Sequence, residues 1–226
     1  MEHLKTAVLA IHIMGGSIAL ITGLFNMIAR KGGPRHRMAG TIFTWAMLAV
    51  AFSAVILSFY INSLFFFSLG IFTFYMTWNG SRSAALKKVV FGLNDRIVLV
   101  IGIANTMVML LSGNAILLGL GILSSTLALR EVILFWKVRK GDTLPPNTWL
   151  VRHISMMVGS YISTLTAFLV VNWDGIGPFW IPWALPPAVL VPYIVWWSRK
   201  VTKPRQHRII TDPTRTSSRA STVPHH

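Results

Sequence analysis

The chain contains no cysteine, which excludes disulfides, zinc–thiolate sites, iron–sulfur clusters and cysteine nucleophiles. Charge is also scarce: Asp, Glu, Lys and Arg make up 12% of the 226 residues, whereas a soluble domain needs roughly a quarter. Acidic residues are the rarest charged type, with six Asp and Glu against 21 Lys and Arg. Gly-rich phosphate loops, GxSxG and HExxH are all missing. These absences exclude an ordinary soluble domain and the common soluble-enzyme signatures.

Apolar residues dominate instead, at 54% of the chain, with a mean hydropathy of +0.61. A helix needs about 20 apolar residues to cross a hydrocarbon core of ~30 Å. Seven stretches of about that length are present, at 6–29, 38–59, 63–80, 96–112, 115–137, 153–172 and 179–198. Helices are favoured because an open sheet would leave backbone groups unpaired in lipid. The sequence therefore predicts an all-α polytopic transmembrane bundle of about seven spans over residues 1–200.

The basic residues predict the orientation of this bundle. All Lys and Arg except Lys5 and Arg130 follow stretches 1, 3, 5 and 7, and the intervening turns carry none. Since cytoplasmic loops retain Lys and Arg, we expect the amino terminus outside and the carboxyl terminus in the cytoplasm. The same rule explains the net charge of +15. Anionic lipids at the cytoplasmic face are therefore the expected partners, and nucleic acid is not.

The carboxyl-terminal part departs from a plain span. Four prolines in the seventh stretch, at 182, 186, 187 and 192, are expected to kink or interrupt its helix. Residues 201–226 are rich in Pro, Ser, Thr, Arg and His and lack apolar periodicity. They predict a second region, a disordered basic cytoplasmic tail.

Polar residues inside a span are costly, so each is a candidate functional residue. In stretch 1, five residues fall on one helical stripe: His12, Gly16, Ala19, Gly23 and Asn26. The stripe could be a groove for a flat ligand. It could equally be small-residue helix packing, with His12 hydrogen-bonded to a neighbouring helix.

A second group of polar residues lies near the basic ends of the stretches. Its members are His36, Arg37, Arg82, Asp95, Arg130, Glu131 and His153. Asp95 is expected to cap its helix and to pair with Arg82 or another Arg of the loops. Glu131, which lies inside stretch 5, needs a donor such as Arg130, His153 or Arg37. Asn105 is expected to face the interior of the bundle from stretch 4. Alternatively, the group is a basic ring that contacts lipid phosphates and contains one buried ion pair.

Four segments resemble a known family. They are HxxxGxxxLxxG at 12–23, KGxxxHRxxG at 31–40, GSR at 80–82 with ND at 94–95, and HIxMxxGxYIxxLTAF at 153–168. Together they resemble the membrane proteins named domain of unknown function 2306, over residues 6–172. The resemblance implies a bacterial inner-membrane protein of about seven spans. It also implies that six polar residues share a site: His12, His36, Arg37, Arg82, Asp95 and His153.

Three functions remain open from the sequence. The first is binding or assembly, with a lipid or a partner membrane protein. The second is a small-solute or proton pathway, for which Glu131 and His12 are suitable residue types. The third is electron transfer through haem b, with His36 and His153 as the axial pair. Enzymatic activity is undecided, and Glu131 with His153 would be its acid–base couple.

Overall fold

The structure is a computed structural model that describes residues 2–174 and 177–203. Every regular element within these ranges is an α-helix. The helices, in chain order, are α1 (Glu2–Ile28), α2 (Pro34–Tyr60), α3 (Leu64–Leu86), α4 (Leu93–Leu111), α5 (Ala115–Lys140), α6 (Thr148–Val171) and α7 (Ile181–Thr202). The predicted all-helical bundle is confirmed.

Six of the seven helices are long and apolar enough to cross a membrane, and α3 is the exception. Helix α3 packs against α2, α4 and α6, so much of its surface faces protein rather than lipid. It accordingly buries a series of polar side chains, namely Ser68, Thr73, Thr77, Asn79 and Ser83. Because α3 lies inside the bundle, it can carry polar residues that a helix facing lipid on most sides would not.

Consecutive helices are joined by short connections and run antiparallel. The pairs Phe52–Phe74 and Phe59–Phe67 show this for α2 and α3. The connections 29–33, 87–92 and 141–147 therefore lie together with the end of α7. These connections and the helix ends that flank them carry most of the Lys and Arg. We call this the basic end of the bundle. The opposite end holds connections 61–63 and 112–114, and residues 172–174 and 177–180.

Several helix boundaries differ from the apolar stretches. Helix α3 continues to Leu86, and α6 begins at Thr148, five residues before the stretch at 153–172. The apolar stretch marks the lipid-facing part, whereas backbone hydrogen bonding continues into the polar interface. Helix α7 is continuous from Ile181, so the expected interruption was wrong, although Pro186, Pro187 and Pro192 lie inside it. Most of the predicted tail, 204–226, lies outside the described residues.

The bundle has two apolar cores that meet along α6. One is built around Phe72, Tyr75 and Met76 of α3 together with residues of α4, α5 and α6. The other joins α1, α2, α6 and α7 around residues such as Met47 and Tyr161. Helix α6 therefore contributes to both cores, and the buried ion pair described below lies near its basic end.

Candidate binding site at the basic end of the bundle

A buried ion pair connects α6 to α5. The guanidinium of Arg152 is 2% exposed and the carboxylate of Glu131 is 1% exposed. Arg152 Nε donates to Glu131 Oε1 at 2.9 Å, and its Nη2 donates to Glu131 Oε2 at 2.6 Å. Two opposite charges at this separation neutralise each other within the apolar core of the bundle.

Helix α3 supplies the remaining acceptors for Arg152. Its Nη1 donates to Ser83 Oγ at 2.7 Å and to the Asn79 carbonyl at 3.4 Å, and its Nη2 donates to Asn79 Oδ1 at 2.6 Å. Phe91, in the connection to α4, lies under the guanidinium at 5.6 Å. All five N–H donors of the guanidinium thus have acceptors. We call Arg152, Glu131, Asn79 and Ser83 the ion-pair network.

The predicted partners of Glu131 were wrong. Arg37 is exposed and donates to the Gly32 carbonyl at 3.0 Å. Arg130 points to Ser155 Oγ at 3.3 Å. His153 Nδ1 lies 2.9 Å from the Gly80 carbonyl. Arg152 pairs with Glu131 instead. Helix α6 starts at Thr148, so Arg152 lies one turn inside this helix.

Asp95 and Arg82 form an ion pair, as expected. Asp95 also accepts a hydrogen bond from the Gly92 backbone N–H at 2.8 Å, which caps the start of α4. This pair is at the surface on one side, since a third of the Arg82 side chain is exposed. Its evident role is to fix the connection between α3 and α4.

A different group of polar residues lies where α1, α2 and α7 meet. Lys31 Nζ donates to the carbonyls of Asn26 at 2.7 Å and Met27 at 2.6 Å. The same nitrogen lies 5.5 Å from the ring centre of Trp197 and 6.0 Å from that of Tyr193. Backbone carbonyls at the end of α1 and aromatic rings of α7 therefore surround this ammonium group.

Two buried polar atoms beside Lys31 have no hydrogen-bond partner: Asn26 Oδ1 and His36 Nδ1. His36 lies within charge-interaction range of Lys31 and of His153. We call Lys31, Asn26 and His36 the basic-end cluster. Burial lowers the pKa of the Lys31 ammonium below its ordinary value of 10.5. Among residues 2–174 and 177–203, no carboxylate lies within salt-bridge distance of Lys31.

Two predicted site residues lie elsewhere. His12 Nδ1 is 2.9 Å from Ser53 Oγ of α2. Because Ser53 is about 25 Å along that helix from His36, His12 does not share a site with it. Asn105 Nδ2 donates to the Ser68 carbonyl at 3.0 Å, in the far half of the α3–α4 interface. The resemblance implied that His12 shares a site with His36, and the structure does not place these two residues together.

The surroundings of His153 bear on the haem hypothesis. A side chain added at Gly80 would meet Met157 Sδ at 2.7 Å and Met156 Cβ at 3.1 Å. Methionines of α6 therefore fill the space beside Gly80, whose carbonyl lies against His153 Nδ1. In the described part of the chain, no three His, Asp or Glu side chains are grouped so that they could hold a metal ion.

Four important residues were not among the predicted site residues: Arg152, Asn79, Ser83 and Lys31. Arg152 and Ser83 lie just outside the apolar stretches, and this position made them look like interfacial residues. The composition contained one signal for this pair: with six acidic residues in the sequence, any buried Arg has very few possible partners. Lys31 was visible within the KGxxxHR motif, but the sequence could not show that its side chain turns back onto α1.

The fold and these buried polar groups define a polytopic helical membrane protein. Residues 9–91 match the family model described as "Predicted membrane protein (DUF2306)", which is the family that the motifs resemble. The match spans α1 to α3 and the connection after them, and includes the basic-end cluster. The motif at 153–168 lies outside the matched residues, so its resemblance stays a prediction. No curated protein and no solved structure matches the chain.

Proposed function

We propose that this chain is a bacterial inner-membrane binding protein that holds an oxyanion group, such as a phosphate, at the basic-end cluster. The observation that carries this proposal is Lys31, a partly buried cation that has no carboxylate beside it among the residues the structure describes. An unpaired charge in a low-dielectric setting is costly, so a bound anion stabilises the protein. The amino terminus is outside in this proposal, and the ligand enters from the cytoplasmic face.

The donors and acceptors of the cluster suit such a ligand. An ammonium has three N–H donors, and two of those on Lys31 are used by the carbonyls of Asn26 and Met27. The third is available to an oxyanion. The unpartnered nitrogen of His36 can donate when the ring is protonated, and Asn26 Oδ1 can accept from a hydroxyl of the ligand. Each group left unpaired costs about 1–3 kcal/mol, which a ligand would recover.

The test is equilibrium binding of radiolabelled inorganic phosphate and of phosphatidylglycerol to the full-length protein in detergent. Lys31→Gln should weaken binding of at least one probe by about tenfold or more, since a charged hydrogen bond contributes roughly 1.5–3 kcal/mol. Lys137→Gln is the matched control, because Lys137 is exposed at the same end of the bundle on α5. Binding of both probes that is unaffected by Lys31→Gln would contradict the proposal.

A second candidate, a proton pathway, is favoured by unpartnered polar atoms along the α3–α4 interface. Tyr75 Oη, Ser68 Oγ and Asn105 Oδ1 are buried without hydrogen bonds. Water molecules bridging these atoms would connect the ion-pair network to the far half of the bundle. Proton flux into liposomes that falls in Tyr75→Phe, but not in Thr126→Val at the exposed face of α5, would support this candidate.

The haem alternative predicts a Soret band in the purified protein.

A further inference from the structure

An apolar groove runs between α1, α6 and α7 on the lipid-facing side of the bundle. Its volume is about 290 Å³ and its lining is almost entirely aliphatic. Tyr161, Pro186 and Leu190 form a buried floor, whereas Leu24 and Val189 form an exposed rim. The groove follows α6 from Tyr161 to Leu169, which is about 12 Å of helix.

One end of the groove adjoins the basic-end cluster. Met27 lines the groove, and its backbone carbonyl accepts hydrogen bonds from Lys31 Nζ at 2.6 Å and from Tyr193 Oη at 3.2 Å. Tyr193 lies one turn beyond Leu190 on α7. Met27 therefore contacts both the Lys31 ammonium and the apolar groove. This contact lies beside Trp197, at the basic end of the bundle.

We infer that the groove holds an acyl chain of a membrane lipid whose anionic headgroup is bound by Lys31. This inference rests on the proposed oxyanion site and names the source of the anion. Charge complementarity selects an anionic lipid, because the described part of the chain places no carboxylate within salt-bridge distance of the cation at the groove's end. The apolar lining suits an acyl chain, and the headgroup of the same lipid would lie beside Lys31.

The experiment distinguishes the contribution of the acyl chain to binding from that of the headgroup. Full-length protein in detergent is titrated with three probes: dioleoyl phosphatidylglycerol, dioleoyl phosphatidylcholine and inorganic phosphate. Phosphatidylglycerol should bind at least tenfold more tightly than either of the others. Phosphatidylcholine has the same chains but no net charge, and phosphate has the charge without a chain.

Two matched variants test whether the acyl chain binds in the groove. Leu165→Trp fills the groove and should lower phosphatidylglycerol affinity by tenfold or more, with any phosphate binding unchanged. Leu123→Trp is the control, because Leu123 is an exposed residue of α5 outside the groove. If Leu165→Trp does not fold, Val189→Trp at the exposed rim provides the same obstruction.

The outcomes distinguish this inference from the proposed function. If Lys31→Gln weakens phosphate binding while the groove variants leave lipid binding unchanged, the lipid inference is overturned and the oxyanion site stands. Equal affinity for phosphatidylglycerol and phosphatidylcholine also overturns the inference. A change of oligomeric state in Leu165→Trp without a change in lipid binding assigns the groove to a protein contact and overturns it as well. If Lys31→Gln affects neither probe, both proposals fail.

Discussion

Arg152 brings a full positive charge into a part of the bundle where only protein atoms surround it. Its five donors are distributed over three acceptor residues, Glu131, Asn79 and Ser83, and its planar face lies against Phe91. Helices α5 and α6 have few other close contacts with each other. Arg152 therefore links α5 to α6 and α3, and its loss should be felt beyond its own site.

Replacing Arg152 by Met should destabilise the protein by about 3–5 kcal/mol, because Glu131 would remain buried without a counter-charge. The double variant Arg152→Met/Glu131→Leu should recover much of that loss, since it buries no charge. Unfolding in detergent followed by circular dichroism measures both effects. Arg130→Met is the control: it removes one 3.3 Å hydrogen bond, to Ser155, and should cost less than about 1 kcal/mol. A single variant as stable as this control would show that the pair contributes little.

The lowered pKa of Lys31 gives the oxyanion site a specific pH dependence. Anion binding needs the ammonium form, and burial disfavours that form, so binding should weaken as the pH rises and start to do so below 10.5. Phosphate binding measured from about pH 8 upward tests this, because phosphate there stays a dianion. Lys31→Arg should keep binding constant over the same range, since guanidinium does not titrate there. Loss of binding in that variant at the same pH would exclude Lys31 as the titrating group.

At the scale of the helix, α1 shows how glycine positions determine close packing. A side chain at Gly23 would overlap the rings of Tyr161 and Phe43, and one at Gly15 would press on the Ala46 carbonyl at 3.3 Å. Gly16, which the sequence placed on the contact stripe, has open space beside it. The contact face of α1 is therefore rotated from the predicted stripe, with Gly15 in place of Gly16.

Gly23→Ala should destabilise the bundle by about 1–3 kcal/mol, because the aromatic rings cannot move aside cheaply. Gly16→Ala should be neutral or stabilising by up to about 1 kcal/mol, through the higher helix propensity of Ala. The two variants make the same chemical change on the same helix, seven residues apart. Their thermal unfolding in detergent should differ clearly, and equal stabilities would mean that α1 is not in close contact with α6 at Gly23.

Helix α6 shows what the sequence could and could not predict at this scale. The length of the apolar stretch predicted the helix, because crossing the hydrocarbon core requires apolar side chains over a fixed length. It did not predict the start of α6, since a helix can extend into the headgroup region without apolar residues. Arg152 consequently looked interfacial, whereas the hydrogen-bonded structure places it at the same depth as Glu131.

At the scale of the whole molecule, the sequence predicts local features but not the long-range contacts between helices. Helix number and class follow from composition, and the match to residues 9–91 agrees with motifs readable in the sequence. The pairing of Arg152 with Glu131, and the distance of His12 from His36, depend on which helices become neighbours. That choice is made by side-chain packing between helices, and a single sequence does not contain the distances that decide it.

The charge asymmetry of the bundle predicts its orientation in the membrane. The connections 29–33, 87–92 and 141–147 share one end of the molecule, and the positive-inside rule places that end in the cytoplasm. The absence of cysteine from the sequence makes this simple to test, because any introduced thiol is the only one present. Lys88 reports on the basic end, and Phe179, which is 82% exposed, reports on the opposite end.

In intact cells whose outer membrane has been made permeable, a membrane-impermeant maleimide should label Phe179→Cys and leave Lys88→Cys unlabelled. Disrupting the inner membrane should then expose Lys88→Cys to the reagent, which shows that its thiol is reactive. The reversed pattern would place the basic end outside and move the proposed oxyanion site to the other face. Labelling of both variants in intact cells would mean that the two ends are not separated by a bilayer, which a transmembrane bundle requires.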